Sequence, residues 1–158
     1  MKKIMFLLIM ALLISLNVGC AKTNPTVQEK SWEISIEVSK DKSVTFTEAE
    51  LEKIGTVQVQ AATKKQETTD QPSLWTGVTL KKVLSYAGVE KYGTITVEGE
   101  DGLNKEFVPE LVESEGTVLA VLKDGNPLDE ESGPVQLAVD GKGEKWWIKK
   151  VVKIIVNP

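Results

Sequence analysis

The side chains able to do bond-making chemistry are few. Histidine is absent, cysteine occurs once, at Cys20, and all 19 basic residues are lysine. Without histidine or a second cysteine, a Ser-His or Cys-His nucleophile is excluded. No glycine-rich loop of the phosphate-cradling kind is present either. Carboxylates are plentiful, but Asp124-Gly-Asn126 and Asp140-Gly-Lys-Gly-Glu144 lack the ligand order of a calcium loop. They read as hairpin turns, and Glu98, Glu100 and Asp101 as a solvated acidic turn. Trp75, Trp146, Trp147 and Lys149 remain. Indoles stack on flat rings and donate one hydrogen bond, so the tryptophans could line a ligand cleft; they equally suit a core or its rim. If Trp146 and Trp147 share one strand they face opposite sides, and at most one enters a given pocket. Lys149 could hold an anionic ligand or simply be solvated.

Cys20 has a different chemistry open to it. Lys2 and Lys3 precede an apolar run from Ile4 to Leu16, broken only by Ser15, and small residues follow up to Gly19-Cys20. A positive start, an apolar centre and small residues at the cut describe a removable export signal. The run is shorter than the roughly 20 residues that cross a bilayer as a helix. Val18-Gly19-Cys20 resembles the lipobox of bacterial lipoproteins, with Asn17 where that family usually has an aliphatic residue. The resemblance implies thioether lipidation of Cys20, loss of residues 1–19 and an extracytoplasmic chain held on the cell membrane. More than one acyl chain, as such proteins carry, is what stable anchoring takes.

Loss of residues 1–19 would leave 139 residues, enough for one domain with its own core. Lys2 and Lys3 leave with the signal, so 17 lysines face 23 acidic residues. A nucleic-acid partner does not suit that balance. Residues 20–30 are polar and aperiodic, a tether, and the domain expected is 31–158.

The elements that must position these residues are short. Trp32, Ile34, Ile36 and Val38 alternate as in a half-buried strand, and Val44 to Phe46 can pair back. Thr47 and Glu50 form a capping box for a helix burying Leu51 and Ile54 and ending at Gly55. Thr56 to Gln60 is a strand, and Lys64 to Ser73 a polar loop. Thr79 caps a helix carrying Leu80, Val83, Leu84 and Ala87, with Gly88 as its stop. Strands are expected at Thr94–Val97, Asn104–Val108, Thr117–Leu122, Pro134–Val139 and Trp146–Val156, with a short helix at Pro109–Glu115. Many short strands with three short helices make the class α+β.

Two stretches go beyond patterning. Trp75-Thr-Gly-Val-Thr-Leu-Lys-Lys-Val-Leu-Ser-Tyr-Ala-Gly-Val89 resembles a segment of the oxidoreductase molybdopterin-binding domain, the fold of sulfite oxidase. Ala120-Val-Leu-Lys-Asp-Gly-Asn-Pro-Leu128 with Gly133-Pro-Val-Gln-Leu-Ala-Val139, and Lys149 to Val156, are similar to later blocks of that family, in the same order. The resemblance implies mixed β-sheets around a pterin-sized cleft, with Trp75, Trp146 and Lys149 as its cofactor-binding candidates. It also exposes departures. The family's molybdenum-ligating cysteine falls where this chain has Ala61-Ala62-Thr63, and Gln136 replaces an arginine that clamps phosphate oxygens. Where the family has a histidine, this chain has Glu131-Ser132. With no thiolate available, the expectation is a domain without catalysis and with no cofactor of its own, molybdopterin being what the family would supply. It would bind a small ligand or an envelope protein. The alternatives are a molybdopterin-binding component of an oxidoreductase, and a structural module of the cell envelope.

Overall fold

The computed structural model describes residues 31–65 and 69–158. The expected signal, Cys20 and the tether lie outside the described residues, as does the middle of the Lys64–Ser73 loop. Among the described residues, no helix is long and apolar enough to cross a membrane.

Two five-stranded sheets share one core. The first comprises β1 (Glu33–Ser39), β2 (Lys42–Thr47), β5 (Thr94–Gly99), β6 (Asn104–Phe107) and β10 (Val151–Asn157), in the order β2-β1-β10-β5-β6. β1 runs parallel to β10 and antiparallel to β2. The second sheet comprises β3 (Val57–Ala61), β4 (Ser73–Thr79), β7 (Thr117–Lys123), β8 (Asn126–Pro127) and β9 (Gln136–Val139). β7 is its centre, pairing with β4, β8 and β9. Three short helices complete the domain: α1 (Glu48–Ile54), α2 (Leu80–Tyr86) and α3 (Pro109–Val112).

The period of two explains the layering. Ile34 and Ile36 of β1, Ile95 and Val97 of β5, and Ile154 of β10 are fully buried on one face of the first sheet. They pack with Val78, Leu119, Leu137 and Val139 of the second sheet and with Leu80, Val83 and Leu84 of α2. The alternate residues of the second sheet, Val118, Ala120 and Ala138, point the other way. There they form a smaller cluster with Ala61, Trp75 and Trp147. Small side chains on that outer face leave room for two indoles.

Local signals act as expected at α2. The Thr79 hydroxyl accepts from the Lys82 amide. At the other end Gly88 has φ +74°, Val89 N–H reaches Leu84 O at 2.9 Å and Gly88 N–H reaches Ser85 O at 3.1 Å. That is a Schellman stop. Asp124 and Gly125 both have positive φ, the primed turn that suits a hairpin.

Three expectations need correction. The capping box at α1 does not form; Thr47 is the N-cap residue, but its hydroxyl donates to the Glu50 carboxylate instead of accepting from a backbone amide. Trp146 to Val156 is not one strand. Glu144–Trp146 is a 3₁₀ turn, Lys150 has φ +45°, and the strand begins at Val151. In between, Ile148 bonds to Leu137 of β9, so this segment crosses from the second sheet to the first and cannot stay extended. The third concerns Ser73–Thr79, where no strand was expected over Trp75-Thr-Gly-Val78. It is a strand buried from Trp75 to Thr79, so no alternation marks it, and Gly77 masks it further.

Candidate functional site

A cleft of about 520 Å³ opens on the outer face of the second sheet, within the size range of small-molecule sites. Trp75 from β4 and Trp147 after the 3₁₀ turn form its apolar wall, meeting edge to face with ring centroids 5.2 Å apart. Both indole N–H groups are already engaged, Trp75 to Ala61 O at 3.3 Å and Trp147 to Lys142 O at 3.2 Å. Thr63, Ser132 and Gln136 contribute polar groups. Gln136 opens β9 on the same face as Ala138, directly opposite Ala120 of β7. A larger depression, of about 790 Å³, lies elsewhere, between the β1–β2 turn and the end of β10. Exposed lysines and short polar side chains dominate its lining and none of its polar residues is buried, so the smaller cleft is the better-built site.

Charge around the cleft is mixed. Lys123 sits over the Trp75 ring, 5.2 Å from its centroid, and the Lys149 ammonium is paired with Glu131. Asp124, Asp129 and Glu144 also line it. The Ser132 backbone N–H, 2.8 Å from Asp129 Oδ1, holds the Asp129 carboxyl below its ordinary range, so this group is a fixed anion at neutral pH. Three carboxylates therefore face two ammonium groups, one of them already paired.

The residues singled out from the sequence separate here. Trp75 and Lys149 line the cleft and Trp146 does not. Trp146 packs edge-on against Phe107 at 5.7 Å, under the ammonium groups of Lys105 and Lys142. Trp147, weighed beside it, takes the cleft position. The tight 3₁₀ turn puts Trp147 inside the outer cluster and Trp146 at the edge of both clusters, so one ring enters the cleft, as two-residue alternation also predicts but from the wrong backbone. In the sequence, Thr63 and Gln136 stand out only as departures from a family pattern. The structure brings these two positions, far apart in sequence, into one cleft.

A short clasp positions the Thr63 side. Ala62 N–H donates to Asp140 Oδ1 at 3.0 Å, Gly141 N–H to Ala62 O at 3.0 Å, and Lys64 N–H to Lys142 O at 3.0 Å. Asp140→Ala would leave the amide of nearly buried Ala62 without its partner. The expected cost is about 1–2 kcal/mol, read as a lower urea midpoint together with faster hydrogen exchange at Ala62.

A family model described as the oxidoreductase molybdopterin binding domain matches residues 21–158. The chain belongs to that family. Its fold is the sulfite-oxidase-like, molybdopterin-binding one, as expected from the sequence. Among solved structures, the sulfane dehydrogenase SoxCD from Paracoccus pantotrophus superposes on it with a TM-score of 0.67 at 22% identity. The match covers 80% of this chain and 38% of that chain, so this molybdopterin-binding domain spans well under half of that structure's length. No curated relative matches it.

Membership raises the question of whether the cleft suits a molybdenum cofactor. Thiolate and imidazole are missing from its lining, and among the described residues no three carboxylates, histidines or cysteines converge as a metal would require. Its carboxylates outnumber its ammonium groups, which disfavours a dianionic phosphate. The residues of this molybdopterin-binding domain do not fit the cofactor for which the family is named.

Proposed function

We propose that this chain is a lipid-anchored, extracytoplasmic member of the molybdopterin-binding-domain family that binds a ligand or partner in its cleft and has no catalytic role. One observation carries the reading. The cleft has an aromatic wall of Trp75 and Trp147, while the Ala61-Ala62-Thr63 segment and Gln136 stand where a metal ligand and a phosphate clamp belong by resemblance. A scaffold with a formed cleft and no soft ligand is suited to binding without redox chemistry.

The test is molybdenum and pterin analysis of the full chain, purified in detergent from a host that makes molybdopterin. Neither should be found above a small fraction of one per chain. One molybdenum per chain would overturn the non-catalytic reading, and one pterin without molybdenum would favour a cofactor-carrying component of an oxidoreductase. Anchoring is tested separately. Cys20→Ser should move the chain from the membrane pellet to the soluble extracytoplasmic fraction, because the export signal alone gives no lasting hold once removed. Retention in the pellet of a chain that has lost residues 1–19 would exclude lipid on Cys20 as the anchor.

A further inference from the structure

Gln136 is the one polar side chain of the cleft lining that is more than nine-tenths buried, at 6% exposure. Its neighbours on that face, Ala120 and Ala138, have no polar side-chain atoms, and its amide makes no hydrogen bond among the described residues. Nor is the amide sealed off. Among the described residues, Thr117 Oγ1 alone is both fully buried and unpartnered. The Gln136 amide therefore opens into the cleft, with one acceptor and two donors unengaged in a nearly dry place. Of the other groups nearby, both indole N–H groups donate to backbone carbonyls, Lys149 is paired with Glu131 and Lys123 lies over the Trp75 ring.

We infer that the cleft recognises an uncharged planar amide, a carboxamide or lactam, whose N–H and C=O pair reciprocally with Gln136 while its flat body lies against Trp75 and Trp147. This rests on reading the cleft as a small-molecule site and names the chemistry it selects. A carboxylate of the same shape offers acceptors only and sets a negative charge against Asp124, Asp129 and Glu144. A group with both donor and acceptor in one plane satisfies both ends of the glutamine amide. Burial makes that match count, since an unpaired amide in such a place is costly.

Benzamide and benzoate are the matched probes, of one size and differing in the amide nitrogen. Each is titrated into the millimolar range against full-length chain in detergent micelles, with ¹⁵N in glutamine side chains and tryptophan indoles. Gln136→Leu assigns the Gln136 amide signals; leucine suits a site beside Ala120 and Ala138, and the other resonances report whether the variant folds. Benzamide should shift the Gln136 amide and the Trp75 and Trp147 indole signals saturably. Benzoate should bind at least about ten-fold more weakly, and Gln136→Leu should weaken benzamide by a similar factor. Benzoate binding as tightly as benzamide would overturn amide selection while leaving a ligand cleft. So would indole shifts from benzamide without any response at Gln136. No response at Gln136 or at either indole, from either probe, would sink both this inference and the small-molecule reading of the cleft. The benzamide–benzoate affinity ratio is read on the wild-type chain from its indole signals, so a poorly folded Gln136→Leu chain leaves that comparison standing.

Discussion

Gly77→Ala is expected to destabilise the domain by about 3 kcal/mol or more, because among the described glycines it has the closest Cβ contact. A Cβ at Gly77 would lie 2.0 Å from Leu119 O and 2.7 Å from the Ala120 Cα. Both are backbone atoms of β7, so no side chain can rotate away. Relief would require β4 and β7 to separate at the bulge between Thr76 and Gly77, in the middle of the second sheet. The effect is steric and not conformational. Gly102→Ala is the control, because its φ is +81° but a Cβ there meets nothing within 4 Å. It should cost only the left-handed backbone strain, about 1 kcal/mol. Urea unfolding of the two variants would separate the causes: similar midpoints would mean that the β4–β7 approach tolerates a side chain.

Trp147→Ala should cost about 3–5 kcal/mol, the range for truncating a buried aromatic side chain. Trp147 is 8% exposed, packs edge to face on Trp75 and is tied by its indole N–H to Lys142 O. The buried part of the outer cluster is three alanines, one valine and two tryptophans, with Val59, Leu128 and Trp146 only at its edge, so the gap would be filled in part at most. Such a loss is a large share of the 5–15 kcal/mol that typically holds a domain folded. Trp146→Ala is the informative partner variant. That ring is half-buried against Phe107 and outside the cleft. It should cost clearly less and leave the Trp75 indole signal in place. A double-mutant cycle of Trp75 and Trp147 should return a coupling of about 0.5–1.5 kcal/mol, the usual worth of an aromatic pair beyond area. Equal costs for Trp146 and Trp147 would show that the outer cluster does not depend on the pair.

The legible parts of the fold were those with a local cause. Ile34 and Ile36 alternate because one face of β1 is buried, and Thr79 and Gly88 bound α2 because backbone groups at helix ends need partners. Ser73–Thr79 is illegible in the sequence for the opposite reason: it is buried through most of its length, and such strands lack the alternation that identifies them. Thr47 with Glu50 has the letters of a capping box, but the two side chains bond to each other and leave the backbone aside. Letters name the partners available to a group; packing chooses between them.

By itself, the sequence determined the chemistry that is missing. With no histidine, no arginine and one cysteine near the start, Ser-His and Cys-His nucleophiles, thiolate ligation in the domain and guanidinium clamps are all excluded, because those depend on residue type alone. It also determined the α+β class and the family, through blocks that keep their order. Tertiary structure decided which residues share a site. Thr63, Trp75, Gln136, Trp147 and Lys149 are brought together by the β3–β4–β7–β9 pairing and by the chain's crossing between sheets after Trp147. It placed Trp147 in the cleft and Trp146 outside it, because a 3₁₀ turn, which no periodicity announces, sets where those two rings point. Long-range contacts are the cause in each case, and a linear pattern carries no record of them.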